Sequence, residues 1–228
     1  MTERGRDHPG AHHQDQGNTH DGAAHLWDEM YRTCPRIWSG KPNPQLVREA
    51  AGLKPGRALD LGCGEGADAL WLAEQGWTVT AVDVSAVALE RAVAHAAEAK
   101  YGPRITWVQQ DLAAWQPEAE FDLVSAQFLH SPALPWQQSL KAAASAVRPG
   151  GTLLIVGHHP DRLPPWGSHI SADMLFTPEQ LAFELHPTKP GWRLDVAASR
   201  ERTVDGPDGQ RATIADAVLR ATREDGWL

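Results

Sequence analysis

Five short apolar runs, separated by longer amphipathic segments, occupy residues 57 to 157. Each run has the length of a strand, and its near-continuous apolar character is typical of strands buried on both faces. Strands of this kind that alternate with helices form a parallel sheet with helices on both sides. We therefore expect an α/β fold with a doubly wound, mostly parallel sheet. The five runs are RALDLG (57–62), TVTAVD (78–83), RITWVQ (104–109), FDLVSA (121–126) and GTLLIVG (151–157).

Helices and a terminal hairpin are predicted around these runs. The apolar residues from Leu89 to Ala96 follow helical spacing, and Ser85 precedes them as a cap. Two strand-like segments near the end of the chain flank the turn DGPDG, which predicts an antiparallel hairpin at the sheet edge and brings the sheet to seven strands. The predicted helices cover residues 67–75, 86–100 and 136–147, and the hairpin segments are 192–204 and 211–223.

The chain is expected to divide into three parts. Residues 1–22 are polar and rich in histidine, without apolar periodicity, so we expect a disordered tail. Residues 23–43 hold a short amphipathic helix followed by a loop with Pro and Gly. Residues 44–228 carry the sheet and form the main domain.

The composition argues against several classes of partner. A formal net charge of -8 disfavours nucleic-acid binding, which depends on clustered Lys and Arg. The apolar runs are far shorter than the roughly 20 residues of a membrane span. The two cysteines, Cys34 and Cys63, form neither a disulfide framework nor a metal-ligand pattern. We therefore expect a cytoplasmic protein with no metal, no membrane association and no obligate protein partner.

A glycine-rich turn carries the strongest functional signal. In LDLGCGEGADALWLA a predicted strand ends in Gly62, Gly64 and Gly66, and a helix starts at once. Glycines allow a sharp turn and let a ligand lie against bare amides at the helix N-terminus. The same letters also satisfy the loose dinucleotide pattern GxGxxA, so a nicotinamide-dependent oxidoreductase remains an alternative.

Three acidic residues refine this prediction. Asp83 ends the next strand, 21 residues after Gly62, where a carboxylate can accept both ribose hydroxyls of an adenosine. Asp111 follows the third strand and could accept an adenine amino group, with the Leu112 amide reaching a ring nitrogen. Asp60 lies two residues before Gly62 and suits a ligand with an ammonium group better than a pyrophosphate.

Together these segments resemble the successive motifs of class I methyltransferases, as LDLGCGEG, VTAVDVS, WVQQDL, FDLVSAQFLH and VRPGGTLLIV. The resemblance covers roughly residues 40 to 157. It implies a Rossmann-like methyltransferase fold and S-adenosylmethionine as the cofactor. The cofactor-binding residues that it implies are Asp60, Gly62, Gly64, Gly66, Asp83, Val84, Asp111, Leu112 and Gln127.

The two ends of the chain resemble the small-molecule methyltransferases of the tellurite-resistance and thiopurine type. The matching segments are WDEMYRTCPRIWSGKPNPQL and VDGPDGQRATIADAVLRATR. The resemblance implies a segment that folds over the cofactor, with Trp27, Tyr31 and Trp38 as its aromatic residues. Aromatic rings suit this place because a sulfonium cation can lie against ring faces. The alternative is an ordinary amphipathic helix packed on the sheet.

The function predicted from these features is methyl transfer to a small-molecule acceptor such as a thiol, a soft anion or a metabolite hydroxyl or amine. A general base is needed only if the acceptor must lose a proton. His130, His158 and His159 follow the fourth and fifth strands, and His130 is the preferred candidate, with a packing role as its alternative. A protein that binds S-adenosylmethionine without turnover also remains open.

Overall fold

The computed structural model describes residues 19–33, 39–117, 120–166, 170–188 and 191–224. Within these ranges the chain forms six α-helices and seven strands. The helices are α1 (Thr19–Thr33), α2 (Pro44–Ala50), α3 (Ala67–Glu74), α4 (Ala86–Ala97), α5 (Trp136–Ala146) and α6 (Pro178–Thr188). The strands are β1 (Arg57–Leu61), β2 (Thr78–Asp83), β3 (Ile105–Gln109), β4 (Phe121–Gln127), β5 (Val147–His158), β6 (Trp192–Asp205) and β7 (Arg211–Arg223).

All seven strands join in one sheet with the order β3-β2-β1-β4-β5-β7-β6. Strands β1 to β5 pair in parallel, whereas β7 runs antiparallel between β5 and β6. The order reverses direction at β1, so the carboxyl ends of β1, β2 and β4 meet where ligands of open α/β sheets bind. The predicted fold class and the terminal hairpin are confirmed.

Two apolar cores lie on opposite faces of this sheet. One face packs against α2, α3 and α4 through residues such as Leu46, Leu72 and Leu89. The other face packs against α5 and α6 through residues such as Leu140 and Leu181. Because every central strand is covered on both sides, the strands carry the near-continuous apolar runs seen in the sequence.

Some element boundaries differ from those predicted. Helix α1 begins at Thr19 and so takes in residues 19–22, which the sequence placed in the tail; residues 1–18 lie outside the described part of the chain. Strand β5 begins at Val147, four residues earlier than predicted, because Val147 pairs with Phe121 ahead of a register shift. Helix α4 ends at Ala97, three residues earlier than predicted.

None of the helices in the described ranges has the length and apolar character needed to cross a membrane.

Candidate functional site

The glycine-rich turn connects β1 to α3 with its backbone in left-handed conformations. The φ angles are 69° at Gly62, 53° at Gly64 and 85° at Gly66, a region that side chains disfavour. The amides of Gly62 and Cys63 donate to the Val82 carbonyl at 2.8 and 3.0 Å, which ties the turn to β2. A Cβ atom at Gly62 would lie 2.7 Å from Cδ1 of Leu129. The turn therefore presents bare backbone at the carboxyl edge of the sheet.

Asp83 joins this turn to the start of α4. Its Oδ2 accepts a hydrogen bond from the Gly64 amide at 2.8 Å, and its Oδ1 accepts one from the Ser85 amide at 2.9 Å. Burial raises the pKa of Asp83, although these two amides act to lower it. The carboxylate thus lies beside the glycine turn, where the sequence placed a ribose-binding group; that role stays a prediction.

Asp60 is a buried carboxylate with one oxygen left over. Its side chain is 2% exposed, and Oδ2 has no hydrogen-bond partner among the described residues. Burial, and then the neighbouring Asp68 and Asp83, raise the pKa of Asp60 well above its ordinary value. Burying an unpaired carboxylate costs free energy of folding. This position therefore suits a positively charged group of a ligand.

Asp68 is a site residue that the sequence analysis missed. It lies in the first turn of α3, and its Oδ1 accepts a hydrogen bond from the Asn43 amide at 2.6 Å. Burial raises its pKa to about 6. The sequence did indicate a site residue here, because Asp68 follows the glycines directly in the first turn of a predicted helix. Helix N-termini favour acids at this position. Asp60, Asp68 and Asp83 together place three buried carboxyl groups at this end of the site.

The remaining predicted cofactor residues lie along the same edge of the sheet. Asp111 Oδ1 accepts from the Ala113 amide at 2.8 Å, in a turn after β3 that also holds the buried Leu112. Gln127, at the end of β4, donates from Nε2 to Ser125 Oγ at 2.9 Å, and its Oε1 is buried without a partner among the described residues. Val84 follows Asp83, and its carbonyl accepts from Gln109 Nε2 at 3.3 Å.

Helix α1 is anchored beside these residues by Asp28, which the sequence analysis also missed. Its Oδ1 accepts from Ser85 Oγ at 2.6 Å and from the Val87 amide at 3.2 Å. Trp27 Nε1 reaches Ser131 Oγ, beyond β4, at 3.4 Å. The helix therefore extends from the loop after β4 to the start of α4.

A second contact holds the other end of α1. Arg91 donates to Glu65 Oε1 at 2.8 Å and to the Tyr31 carbonyl at 2.5 Å, and its guanidinium lies 5.8 Å from the centre of the Tyr31 ring. Tyr31 is only 3% exposed. Two of the three predicted lid aromatics thus lie on a docked helix, and Trp38 falls outside the described residues.

His130, the predicted base, has both ring nitrogens engaged. Nδ1 donates to the Met174 carbonyl at 2.9 Å, and Nε2 accepts from the His158 amide at 3.1 Å. Burial lowers the pKa of His130. Because both ring nitrogens are engaged, the packing alternative gains support, and a role of His130 as a base stays a prediction. Met174 lies 44 residues away in sequence, so no local pattern could have indicated this bond.

Comparison with known proteins places this site in a family. The model of the methyltransferase domain family matches residues 58–151, which hold the glycine turn, Asp83, Asp111 and Gln127. The predicted resemblance to the class I methyltransferases is confirmed over this segment. This match covers the segment in which the predicted motifs follow one another along the sheet.

The relatives of this chain include proteins named for small sulfur compounds. It is 27% identical over 136 residues to a probable thiol methyltransferase 2 of Arabidopsis thaliana, covering 56% of this chain and 59% of the relative. It is 31% identical over 101 residues to a thiocyanate methyltransferase 1 of Brassica oleracea, covering 43% of this chain and 45% of the relative. The chain thus spans about half the length of the curated relatives it matches.

Solved structures agree on the fold. The crystal structure of TehB from Haemophilus influenzae superposes with a TM-score of 0.65 at 19% sequence identity, covering 87% of this chain and 66% of that one. At this level of identity the likeness concerns the architecture alone. The shared architecture includes the predicted Rossmann-like sheet.

The candidate site fits S-adenosylmethionine. The unpaired oxygen of Asp60 suits the cofactor's ammonium group, since a charge-assisted hydrogen bond offsets the cost of the buried carboxylate. Glycines at positions 62, 64 and 66 keep side chains off the turn, so a ligand can approach its backbone. A pyrophosphate would instead lie beside the three carboxyl groups of Asp60, Asp68 and Asp83, which cannot compensate its negative charge.

Proposed function

We propose that this protein transfers the methyl group of S-adenosylmethionine to a small-molecule acceptor. The observation that carries the proposal is the buried, unpaired carboxylate of Asp60 beneath a glycine turn that leaves its backbone bare. When bound, the cofactor supplies an activated methyl group on a sulfonium leaving group. Asp60 binds the cationic end, and Asp83 and Asp111 lie along the sheet edge where an adenosine would be held.

The work left to the protein is mainly positioning. Holding a nucleophile about 3 to 3.5 Å from the reacting carbon can supply much of the acceleration of a displacement reaction. The carboxyl ends of β4 and β5 border the cofactor site on the acceptor side, where Phe128 and His158 lie with ring centres 4.6 Å apart. An apolar, aromatic surface of this kind excludes water from the reacting groups.

A small sulfur compound is the acceptor class that we favour. The relatives named for thiols and thiocyanate support it, because both names denote soft sulfur nucleophiles. The net charge of -8 supports a small molecule over a nucleic acid. We also retain a cytoplasmic location and the absence of an obligate protein partner as parts of this proposal.

Two other functions compete with methyl transfer. A nicotinamide-dependent oxidoreductase would place a pyrophosphate beside Asp60, where burial first, and then Asp68 and Asp83, already raise the pKa of the carboxyl and so disfavour further negative charge. A protein that binds the cofactor without turnover would use the same cofactor residues, so only an activity measurement separates it from an enzyme.

Methyl-labelled S-adenosylmethionine should yield labelled product when the protein is incubated with a panel of thiols, thiocyanate and halides. Calorimetry should show binding of S-adenosylmethionine and of its demethylated product, and no binding of NAD. Asp83→Ala should lower the affinity for S-adenosylmethionine about tenfold or more, since hydrogen bonds to a charged acceptor contribute about 1.5 to 3 kcal/mol. Tighter binding of NAD than of S-adenosylmethionine would contradict the proposal, and binding without any labelled product would favour the non-catalytic alternative.

We further propose that residues 23–43 act as a lid over the bound cofactor. Hydrogen exchange should then show greater protection of the α1 amides when S-adenosylmethionine is added, because a closed lid opens less often. Helix α6 serves as the internal comparison, since it packs on the other face of the sheet. Asp28→Ala should increase exchange in α1 without cofactor by removing its bonds to Ser85 and Val87. Equal protection with and without cofactor would make α1 a fixed packing element.

A further inference from the structure

Arg91 of α4 contacts both the glycine-rich turn and α1. Its Nη1 donates to Glu65 Oε1 at 2.8 Å, and its Nη2 donates to the Tyr31 carbonyl at 2.5 Å. Glu65 belongs to the turn, and Tyr31 belongs to α1. The two terminal nitrogens of one guanidinium thus connect the cofactor side of the sheet to the helix of the proposed lid.

Glu65 is tied to α4 by its side chain and by its backbone. Its carboxylate is buried and pairs with Arg91, whose own side chain is 22% exposed. The Glu65 carbonyl lies 3.1 Å from Nδ1 of His95, which follows Arg91 by four residues. Residues four apart share a face of a helix, so α4 presents both groups to the turn. Removing one partner of a buried ion pair is costly, which keeps Glu65 and Arg91 together.

Glu65 also lies in the part of the turn that a ligand would touch. Gly64 and Gly66 flank it with φ angles of 53° and 85°. Glycine carries no side chain and has the greatest backbone freedom, so neither neighbour fixes Glu65 by side-chain packing. A ligand against this backbone therefore restricts the position of Glu65, and with it the position of Arg91.

The contact of Arg91 with α1 lies in the last turn of that helix. The last four carbonyls of a helix are available to donors from outside it, and Tyr31 is two residues before the last residue, Thr33. A cation at a helix C-terminus is also favoured by the helix dipole. The guanidinium lies 5.8 Å from the centre of the buried Tyr31 ring. Arg91 therefore stabilises the docked position of α1.

We propose that Arg91, oriented by Glu65, couples cofactor binding at the glycine turn to docking of α1. Arg91 is a positioning residue, because it acts on the lid through Tyr31. This inference rests on the proposed function and on the lid described there. Coupling of two binding events is reciprocal, so a cofactor that stabilises the docked lid is itself bound more tightly when the lid is docked. Cofactor affinity and protection of α1 should therefore change together.

The planar guanidinium is what allows one side chain to serve two elements. Its fork directs Nη1 to Glu65 and Nη2 to Tyr31, whereas the ammonium of lysine is a single compact charge on a flexible stem. Arg91→Lys therefore keeps the positive charge beside Glu65 and removes the connection to α1. A role limited to balancing the charge of Glu65 would survive this exchange, whereas the coupling would not.

Arg91→Lys should lower the affinity for S-adenosylmethionine about fivefold or more, the lower end of the usual coupling between two sites. In the same variant, S-adenosylmethionine should protect the α1 amides less than it does in the wild type. Glu65→Gln should reproduce both changes. The double variant should show less than the sum of the two single effects, because both substitutions remove one connection. Calorimetry measures the affinity, and hydrogen exchange measures the protection.

Arg148→Lys is the matched control. Arg148 also pairs its guanidinium with a carboxylate, that of Asp122, but it lies in β5 and not beside α1. This variant should retain wild-type affinity and wild-type protection of α1, even where its melting temperature falls. Circular dichroism shows that each variant is folded, and Glu65→Gln decides the matter if Arg91→Lys does not fold.

Two results would overturn the coupling. Unchanged affinity in Arg91→Lys would make Arg91 a structural contact of α1 alone, and a fall in affinity without a change in protection would break the required reciprocity. Either result, with normal cofactor binding by the wild type, removes this inference and leaves the proposed function intact. A wild-type protein that binds no S-adenosylmethionine would instead refute the proposed function, and the coupling with it.

Discussion

Replacing Asp60 by asparagine is expected to weaken S-adenosylmethionine binding about tenfold or more while making the cofactor-free protein more stable at neutral pH. The loss in affinity follows from removing a charged acceptor worth about 1.5 to 3 kcal/mol. The gain in stability follows because the carboxylate is buried without a partner for Oδ2. Calorimetry and thermal unfolding of the two proteins measure these opposite effects.

The gain in stability from Asp60→Asn should increase as the pH rises. The folded protein raises the pKa of Asp60 above its unfolded value, so ionisation of this group costs stability as the pH rises. Wild type and Asp60→Asn should therefore unfold alike below about pH 4, where the unfolded carboxyl is protonated, and diverge above it.

Asp122→Asn is the matched control for this effect. Burial acts to raise its pKa, but hydrogen bonds from the Arg57 amide and Arg148 prevail and lower it. Its ionised form therefore stabilises the fold above the unfolded pKa, and this contribution is lost as the pH falls. Asp122→Asn should lower the melting temperature at neutral pH and leave cofactor affinity unchanged. Destabilisation of the cofactor-free protein by Asp60→Asn would show that Asp60 has a partner within the fold.

The second large effect is expected from Gly66→Ala. Gly66 has a φ of 85°, and a Cβ there would lie 2.6 Å from Trp107 Cη2 and 3.0 Å from Ala92 Cβ. The left-handed backbone costs about 1 to 2 kcal/mol, and the crowding adds about 1 to 3 kcal/mol. At about 2 to 4 °C per kcal/mol, the melting temperature should fall by many degrees and cofactor binding should be lost with the turn.

Gly209→Ala separates the cost of the left-handed backbone from the cost of crowding. Gly209 has a φ of 74°, and a Cβ there would meet no atom within 4 Å. This variant should lose only the stability that the left-handed backbone conformation costs an alanine, and it should retain cofactor affinity. Circular dichroism melting curves and calorimetry make the comparison. If both alanine variants melt at the same temperature, the close packing of Trp107 against the turn is not present in solution.

The fold was predictable because its signals are local. Parallel strands buried on both faces give continuous apolar runs, so β1, β2, β3 and β4 begin within one residue of their predicted starts. The predicted start of β5 was too late because Pro149 and Gly150 are typical of the end of a helix. In the structure Val147 pairs with Phe121, which extends the strand through these two residues. Pairing between distant segments overrides such local preferences.

The candidate site was predictable only where its residues lie within sequence motifs. Asp60 and Asp83 were identified from their distance to the glycines. Asp28 and Asp68 act through Ser85 and Asn43, contacts that arise from tertiary packing. Outside the cofactor residues, Asp216 is a buried acid inside the apolar run IADAVL of β7 that pairs with Arg202 and Gln45. The sequence analysis did not use this signal, although acids are rarely buried without a specific partner.

Apart from the N-terminal aromatic residues, the cofactor half of the candidate site lies between positions 60 and 127, whereas the antiparallel hairpin is formed by positions 192–223. Natural selection can therefore act on the two halves separately. Duplicated genes that keep the first segment and diverge in the hairpin would give descendants with one shared methyl donor and different acceptors. Exchange of hairpins between such paralogues should transfer acceptor preference, since β7 lies directly against β5, whose carboxyl end borders the proposed acceptor side.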